Sequence, residues 1–253
     1  MTMKPVYKVA IGVAVVAVAI GAGVLIGQGR SDGHATPPPS TPSSAPPSTA
    51  PSTGGLMAGA GGTRKAADGK TPIGFASSCD GAAQAAAAYT VALTDEIGYA
   101  RPGVAGAKRP GLKATLDYIF ATGGAPDASV TEQRTILLGP NSVLPGLTAH
   151  PEWGGYRIAD CVPKFTATID LFSCLTGYPD SDGGSICDTT PWELVWYAND
   201  WHVARLPVTA VDPDPTSVFP DSTKAPNPLS AASRRQAIAA GGPGWTEWAN
   251  APK

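Results

Sequence analysis

The amino-acid sequence predicts an α+β domain that follows an N-terminal membrane-spanning helix and a proline-rich stalk. Three observations predict this: an uncharged apolar run near the N-terminus, a long stretch of Pro, Ser, Thr and Gly, and a hydrophobic period that changes from helical to alternating near residue 156. Residues 73–210 are expected to form about three helices followed by an antiparallel sheet of about four strands, which a resemblance described below implies is a curved sheet in a cone.

Composition limits both the size of the folded part and the class of partner. The chain has 253 residues and a net charge of −2, so no basic excess predicts direct contact with nucleic acid. It contains 26 Pro and 30 Gly but only 15% charged residues. Such segments bury too little apolar surface to offset the entropy lost on ordering, so we expect the folded part to be smaller than the chain.

Residues 9–27 are uncharged and predominantly apolar. As a helix, this run of roughly 19 residues spans about 28 Å, close to the hydrocarbon thickness of a bilayer. A cleaved signal peptide is the alternative, but its apolar region is shorter and ends in a small-residue cleavage motif. Lys4 and Lys8 precede the run, which predicts a single-pass protein of the cell membrane with residues 1–8 in the cytoplasm and the remainder outside.

Residues 28–72 are predicted to form a disordered stalk. Proline fixes φ and removes a backbone donor, so residues 35–53 are expected to be extended, with a reach on the order of 60 Å. The tripeptide GKT at 69–71 resembles the end of a phosphate-binding loop. However, Arg64 stands where that motif has its first glycine and Pro72 follows directly, so we interpret this part as linker.

Three helices are predicted at the start of the domain. The first begins at an N-cap, Asp80, and its inward face carries Ala82, Ala86, Tyr89, Leu93 and Ile97. The second begins near Pro110 and ends near Gly123, with an inward face of Leu112, Leu116, Ile119 and Phe120. A capping box of Ser129 and Glu132 predicts the third.

Alternating apolar residues predict strands at 156–162, 164–175, 192–197 and 201–206. Asn199 and Asp200 tolerate turn geometry, so they are predicted to reverse the chain between the last two strands. With Trp196 and Trp201 they define a structural core hairpin, in which we expect the Trp201 ring to be buried.

Four cysteines on the outer side of a membrane predict a disulfide framework, because their number is even. Cys174 and Cys187 flank a Gly- and Asp-rich insert and would close a loop of about 14 residues. Three pairings are possible, and Cys79 with Cys161 follows only by elimination.

The sequence does not identify a catalytic, cofactor-binding or metal-binding residue. His202 is the histidine within a strand pattern, and an acid–base site would need partners for it, for which Asp170, Tyr89 and Tyr118 are candidates. Since His202 alternates with Trp201, it is expected to point away from the core and to be solvated or capped. His34 and His150 are placed in the stalk and in a loop.

Residues 211–253 form a Pro-rich C-terminal extension with a short helix. Its prolines argue against a regular strand, so we expect it to wrap the domain rather than extend the sheet. Trp245 and Trp248 are predicted to dock, because leaving both exposed is unfavourable. Trp153 is expected to lie in a loop that closes the mouth of the cone.

Three segments carry a resemblance to a known family: PIGFASSCDGAAQAAAAY at 72–89, the W-x-L-x-W-x-x-x-D-W hairpin at 192–201, and GWTEWANA at 244–251. With the anchor and stalk, they resemble actinobacterial membrane-anchored proteins of conjugative and integrative elements that have a nuclear transport factor 2-like (cystatin-like) domain. The resemblance covers most of residues 72–251. The cysteines and the Gly-rich insert at 177–191 depart from the family pattern.

The resemblance implies an extracytoplasmic scaffold or accessory subunit of a DNA-transfer or secretion assembly. Its partners would be the bilayer, other proteins of that complex and, through a G-x-x-x-G at Gly23 and Gly27, a second copy of the chain. The alternative is a membrane-anchored small-molecule-binding protein or enzyme of the same fold. A polar pair that faces into a roomy cone pocket favours the alternative, and a filled cone with an apolar outer groove favours the scaffold.

Overall fold

The computed structural model of this chain describes residues 55–98, 110–138, 148–176, 185–206 and 229–253. Its helices in these ranges are α1 (Cys79–Gly98), α2 (Leu112–Ile119), α3 (Ala128–Leu138) and α4 (Ala231–Ala240). Its strands are β1 (Arg64–Lys65), β2 (Pro72–Ile73), β3 (Thr148–Val162), β4 (Thr166–Thr176), β5 (Ile186–Tyr197), β6 (Asp200–Arg205) and β7 (Trp245–Glu247).

The main sheet is antiparallel and has five strands in the order β6-β5-β4-β3-β7. This confirms the predicted α+β class. The prediction that the tail only wraps the domain was wrong, because residues 245–247 pair with Gly155–Arg157 of β3. The reason is local. Residues 245–247 lie after Pro243 and contain no proline themselves, so each of them keeps the backbone N–H that a strand needs.

Helices and tail cover different faces of the sheet. Against α1 lie alternate residues of β4 and β5, among them Ile169, Leu171 and Leu194. Phe172 belongs to a second cluster, which it forms with Leu229, Ala237 and Trp245 of the tail. Because both faces are covered, residues that alternate along a central strand are buried on both sides.

The central helix α1 is apolar on most of its circumference. Seven of its alanines are buried: Ala82, Ala83, Ala85, Ala86, Ala87, Ala88 and Ala92. Small side chains allow a helix to approach a sheet closely, which explains the alanine-rich segment. The predicted inward positions Tyr89 and Leu93 are buried as well, whereas the side chain of Ile97 lies outside the described residues.

Helix starts differ from the sequence prediction. At α1 the cap is Ser78, whose Oγ accepts a hydrogen bond from the Gly81 amide at 3.1 Å, and Asp80 lies in the first turn. At α3 the carboxylate of Asp127 accepts from the Ser129 amide at 2.8 Å, so Ser129 is inside the helix rather than its cap. Both predictions were two residues late because several capping residues follow one another in the sequence.

The stalk prediction was wrong for residues 55–72, which pack on the domain. The Leu56 carbonyl accepts from the Ala249 amide at 2.7 Å, and β1 pairs with β2. The GKT tripeptide lies in a turn closed by Asp68, which accepts from the amides of Lys70 and Thr71, each at 2.9 Å. The sequence analysis did not predict this turn, because the Gly-rich composition of the segment is typical of a linker. The Asp68 carboxylate nevertheless caps the turn in which it lies.

Both predicted disulfides are present. Cys79–Cys161 joins the start of α1 to the end of β3, and Cys174–Cys187 joins register partners of β4 and β5. No helix in the described ranges is long and apolar enough to cross a membrane. The predicted span at 9–27 and residues 28–54 of the predicted stalk lie outside those ranges.

Candidate functional site

The β5–β6 hairpin reverses at Ala198 and Asn199, whose φ angles of 48° and 65° match a two-residue turn of type I′. Trp196 and Trp201 are register partners, and their rings meet edge to face at 5.3 Å. Trp201 is fully buried, and its Nε1 donates to the Ala76 carbonyl at 2.8 Å. The structure thus contains the predicted hairpin with Trp201 buried, but Asp200, predicted to lie in the turn, is the first residue of β6 and pairs with Tyr197.

The acidic residue that follows the turn, Asp200, is explained by the hydrogen bonds of its side chain. Its buried carboxylate accepts hydrogen bonds from the amides of Gly74, Phe75 (2.8 Å) and Trp201 (2.9 Å). The Tyr118 hydroxyl donates a fourth, at 2.7 Å. One side chain thus ties the segment before α1, helix α2 and the β5–β6 turn together, which is a structural role.

His202 was predicted to be a solvated or capped side chain, and the structure shows the second of these, because the ring is buried and hydrogen-bonded to a backbone carbonyl. Its Nδ1 donates to the Tyr118 carbonyl at 2.6 Å, and its ring contacts those of Tyr118 and Tyr197 at 4.9 and 5.8 Å. Alternation correctly placed His202 opposite Trp201. It did not reveal that α2 covers this face as well.

Two tyrosines near this turn are held in the protonated form. Burial and the hydrogen bond to Asp200 raise the pKa of Tyr118 to about 12. Burial likewise raises the pKa of Tyr89, whose hydroxyl donates to the Trp201 carbonyl at 2.6 Å. Both phenols therefore act as donors at neutral pH, and neither is available as a base.

The other candidate acid–base residues are not assembled into a site with His202. Asp170 forms a buried ion pair with Arg157 at 2.7 Å on a different part of the sheet. His150 stacks on Trp153 with ring centroids 3.8 Å apart and contacts Glu152 at 3.0 Å. His150 and Trp153 thus lie in β3 rather than in loops, and His34 lies outside the described residues.

The C-terminal tryptophans dock as predicted. Trp248 packs on Tyr156, with ring centroids 4.3 Å apart, and Trp245 lies beneath the Arg157 guanidinium at 5.1 Å. Arg234 of α4 fixes this tail: it is buried, pairs with Glu247 at 2.5 Å and donates to the Pro252 carbonyl at 2.6 Å. This buried arginine was not predicted, and its sequence context, SRRQ, does not distinguish it from exposed Arg235.

The β3–β4 hairpin ends in a surface that sequence reasoning missed. We call residues 162–165 the exposed tip; Val162 is 52% exposed and Phe165 is 67% exposed. The tip is held by backbone bonds from Lys164 N to the Ser77 carbonyl (3.1 Å) and from Trp196 N to the Phe165 carbonyl (2.8 Å). The sequence did contain a signal for this exposed surface, because two apolar residues, Val162 and Phe165, flank a Pro-Lys turn in VPKF.

A cavity of about 290 Å³ lies between α1, α3 and the sheet, at the end of β4 far from the exposed tip. We call it the α1–sheet cavity. Its polar lining residues are Thr90, Thr94, Gln133, Ser173, Asp188 and Thr190. Its apolar lining residues are Leu93, Leu175, Trp192 and Leu206. The space between helix and sheet is therefore filled along most of β4 and open at one end.

Comparisons with protein families, curated proteins and solved structures give no match to this chain. The resemblance to conjugative-element proteins and to the nuclear transport factor 2-like cone therefore stays a prediction from the sequence. In the part of the chain that the structure describes, no group of three or more His, Cys, Asp or Glu side chains is placed to hold a metal ion.

Proposed function

We propose that this protein is a membrane-tethered extracytoplasmic scaffold, an accessory subunit of a conjugative DNA-transfer or secretion assembly. The observation that carries the proposal is the exposed tip, an apolar surface on a hairpin whose backbone is fixed. The assembly itself is proposed from the family resemblance alone.

Phe165 and Val162 have the properties of an anchor for a neighbouring protein. A large aromatic side chain that enters a partner's pocket is a common hot spot of interfaces. Binding costs less entropy when the segment is already ordered, and the Cys79–Cys161 disulfide lies next to this tip. We therefore expect the occupant to be a protein subunit with an apolar pocket.

Two disulfides in the domain support an oxidising compartment, where such bonds persist. In this proposal residues 9–27 anchor the chain and residues 28–54 form the part of the stalk that separates the domain from the bilayer. The stalk then sets the height at which the exposed tip meets its partner. It thereby sets the effective concentration of the tip at the partner's binding site.

Photo-crosslinking tests the interface directly. Benzoylphenylalanine at position 165, in cells that carry the native gene neighbourhood, is expected to crosslink a second protein encoded there. The same group at position 57 is the control, because Met57 is an apolar side chain of comparable exposure, 50%, that is not part of the exposed tip. Equal products from both positions, or none from position 165, would contradict the proposal.

Substitution gives the matching functional test. Phe165→Ser is expected to lower the recovered complex by about 30-fold, as loss of a hot spot of about 2 kcal/mol would. Met57→Ser should leave complex and DNA transfer unchanged. Shortening residues 35–53 should weaken transfer although the folded domain is intact, and normal transfer with the shortened stalk would remove the tether from the proposal.

Topology has its own test. Protease added to intact protoplasts should cut the stalk and release residues 55–253 into the medium. A domain that stays with the cells, protected until they are lysed, would show that the orientation is reversed.

A further inference from the structure

A groove of about 370 Å³ lies between α2, α3 and the end of β5, and we call it the α2–α3 groove. Its apolar lining residues include Phe120, Pro126, Val130 and Tyr197. Phe120 and Val130 are buried, whereas Tyr197 is 42% exposed, so its ring can contact a ligand. Aromatic-lined grooves bind proline-rich segments that are in the polyproline II conformation. The groove therefore has the apolar part of such a site.

The charged residues that line the groove, Asp117 and Arg134, neutralise each other. Arg134 donates to Asp117 Oδ1 through Nε at 3.0 Å and through Nη2, and Lys113 Nζ donates to Oδ2 at 2.6 Å. Both carboxylate oxygens thus have donors, while Arg134 Nη1 and the Tyr197 hydroxyl have no partner in the described ranges. The groove therefore suits a neutral chain that offers carbonyl groups and few N–H groups, as a proline-rich chain does.

The chain itself carries such a segment outside the described ranges. Residues 35–53 contain seven prolines and no charged side chain, and PSTP at 39–42 matches the P-x-x-P pattern of polyproline II ligands. We propose that residues 37–42 dock in the α2–α3 groove of the same chain, with a proline ring on Tyr197 and backbone carbonyls toward Arg134.

The groove is within reach of this segment. Arg64 Nη2 donates to the hydroxyl of Tyr118, whose neighbour in α2 lines the groove, at 3.2 Å. Gly55 precedes Arg64 by nine positions, so it lies within roughly 50 Å of the groove. From Gly55 a polyproline II chain covers about 50 Å back to residues 37–39, but about 28 Å or less to the prolines at 46–51. The first prolines are therefore the ones that we expect to dock.

Docking changes the length of the tether. With residues 37–42 bound, residues 28–36 separate the groove from the predicted span by about 28 Å, against about 80 Å for residues 28–54 when free. The exposed tip then meets its partner at either of two heights. Only this consequence rests on the proposed scaffold role, because the docking itself needs neither a membrane nor a partner.

Photo-crosslinking of the full chain in detergent micelles tests the docking. Benzoylphenylalanine at position 124 places the reactive group in the groove, since Gly124 lines it and has open space at its Cβ position. Irradiation should join this group to residues 37–42, as located by proteolysis and mass spectrometry. An equal mixture of ¹⁵N-labelled and unlabelled chains should give crosslinked peptides of uniform label, because stalk and groove belong to one chain.

Position 235 is the matched control. Arg235 lines a second groove, of about 440 Å³, together with Ala249, whose amide donates to the Leu56 carbonyl at 2.7 Å. A stalk without a preferred site would meet position 235 more often, because it leaves the domain beside that groove. Docking predicts the reverse, with at least about threefold more stalk product from position 124 than from position 235.

Two sets of stalk substitutions identify the docked prolines. Glycine in place of all three prolines at 37–39 should lower the product from position 124 about tenfold, because glycine loses more conformational freedom when it is ordered. Glycine in place of the three prolines at 46–51 is the matched control and should have less than about a twofold effect. Tyr197→Ser removes the aromatic ring from the groove and should lower the product about fivefold.

The proposal is overturned if position 235 captures the stalk as well as position 124 does, or if the substitutions at 37–39 leave the product unchanged. Mixed-label peptides would also overturn it, since they would show that the groove binds the stalk of a second copy. None of these measurements involves Phe165, so the docking and the interface of the exposed tip can fail independently.

Discussion

The β5–β6 turn and the exposed tip end two hairpins of the same antiparallel sheet, and their aromatic residues have opposite environments. Trp201 has no exposed surface, whereas Phe165 is 67% exposed. Both turns contain non-glycine residues with positive φ: Ala198 and Asn199 in the first, and Lys164 in the second. The backbones differ, because Pro163 fixes a negative φ before Lys164 where the first turn has two positive φ angles, and the turns differ as well in what packs over them.

Side-chain hydrogen bonds hold the first turn. Asp200 draws Gly74 and Phe75 onto it, and Tyr118 brings α2 to the same carboxylate. The exposed tip has a covalent anchor instead, the Cys79–Cys161 bond, together with two backbone hydrogen bonds. That anchor fixes the backbone of the tip but leaves its side chains in solvent. A rigid turn thus stabilises the domain in one place and presents a surface in the other.

The largest expected effect concerns the anchor of the exposed tip. Replacing both Cys79 and Cys161 by Ala should lower the free energy of unfolding by about 4.5 kcal/mol, because the bond links residues separated by 82 positions. Denaturant unfolding of the full chain measures this loss.

The Cys174–Cys187 pair is the control for that measurement. Its partners are separated by 13 positions, so removing both should cost about 3 kcal/mol. A larger loss of unfolding free energy on removal of Cys174–Cys187 than on removal of Cys79–Cys161 would contradict this order. It would show that the disulfide between β4 and β5 constrains the domain more than the disulfide beside the tip.

Truncating each hairpin's aromatic residue sharpens the comparison. Trp201→Ala should cost about 4 kcal/mol, since it leaves a large cavity in the core and removes the bond to the Ala76 carbonyl. Phe165→Ala should change the free energy of unfolding by less than about 0.5 kcal/mol. Thermal unfolding of both variants provides the measurement, and equal losses would mean that the tip is buried in the folded protein.

The hairpin was predictable from sequence because period-two alternation and the turn-forming segment Ala-Asn-Asp are local signals, although the turn itself lies one residue earlier than predicted, at Ala198 and Asn199. Alternation also ordered Trp201 and His202 correctly on opposite faces. The burial of His202 depends on Tyr118, which is 84 residues away in the chain. No local pattern carries that contact, so alternation left open whether His202 is solvated or capped, and a tertiary contact decides between the two.

The same distinction explains the errors at the two ends of the domain. Residues 55–72 have the composition of a linker, yet Asp68 and Thr71 build a compact turn that packs on α2 through the Asp68 amide and the Thr115 hydroxyl at 3.1 Å. Residues 245–247 form a strand because β3 offers them an edge. The cavity was equally invisible, since its lining comes from five separate elements: α1, α3, β4, β5 and the end of β6.

Tyr118 tests whether hydrogen bonding holds the buried turn. Tyr118→Phe removes the bond to Asp200 and should cost about 1.5 kcal/mol at neutral pH. The pKa of Tyr118 is raised from 10.0 to about 12 in the folded state, so its contribution is complete below pH 10.0 and is lost as the pH rises through 12. Unfolding free energies measured from pH 8 to about 12 should therefore fall less steeply in the variant. Parallel curves would show that this phenol is not coupled to stability.

The smallest expected effect comes from the strained residues that both turns share. Ala198 has a φ of 48° and Lys164 a φ of 63°, a region that glycine adopts without steric cost. Glycine also gives the unfolded chain more freedom, which offsets part of the gain. Ala198→Gly and Lys164→Gly should each raise the free energy of unfolding by about 0.5 kcal/mol, detectable as a small rise in the denaturant midpoint at an unchanged slope. A loss at position 164 together with a gain at position 198 would show that the tip, unlike the buried turn, depends on the side chain at its turn residue.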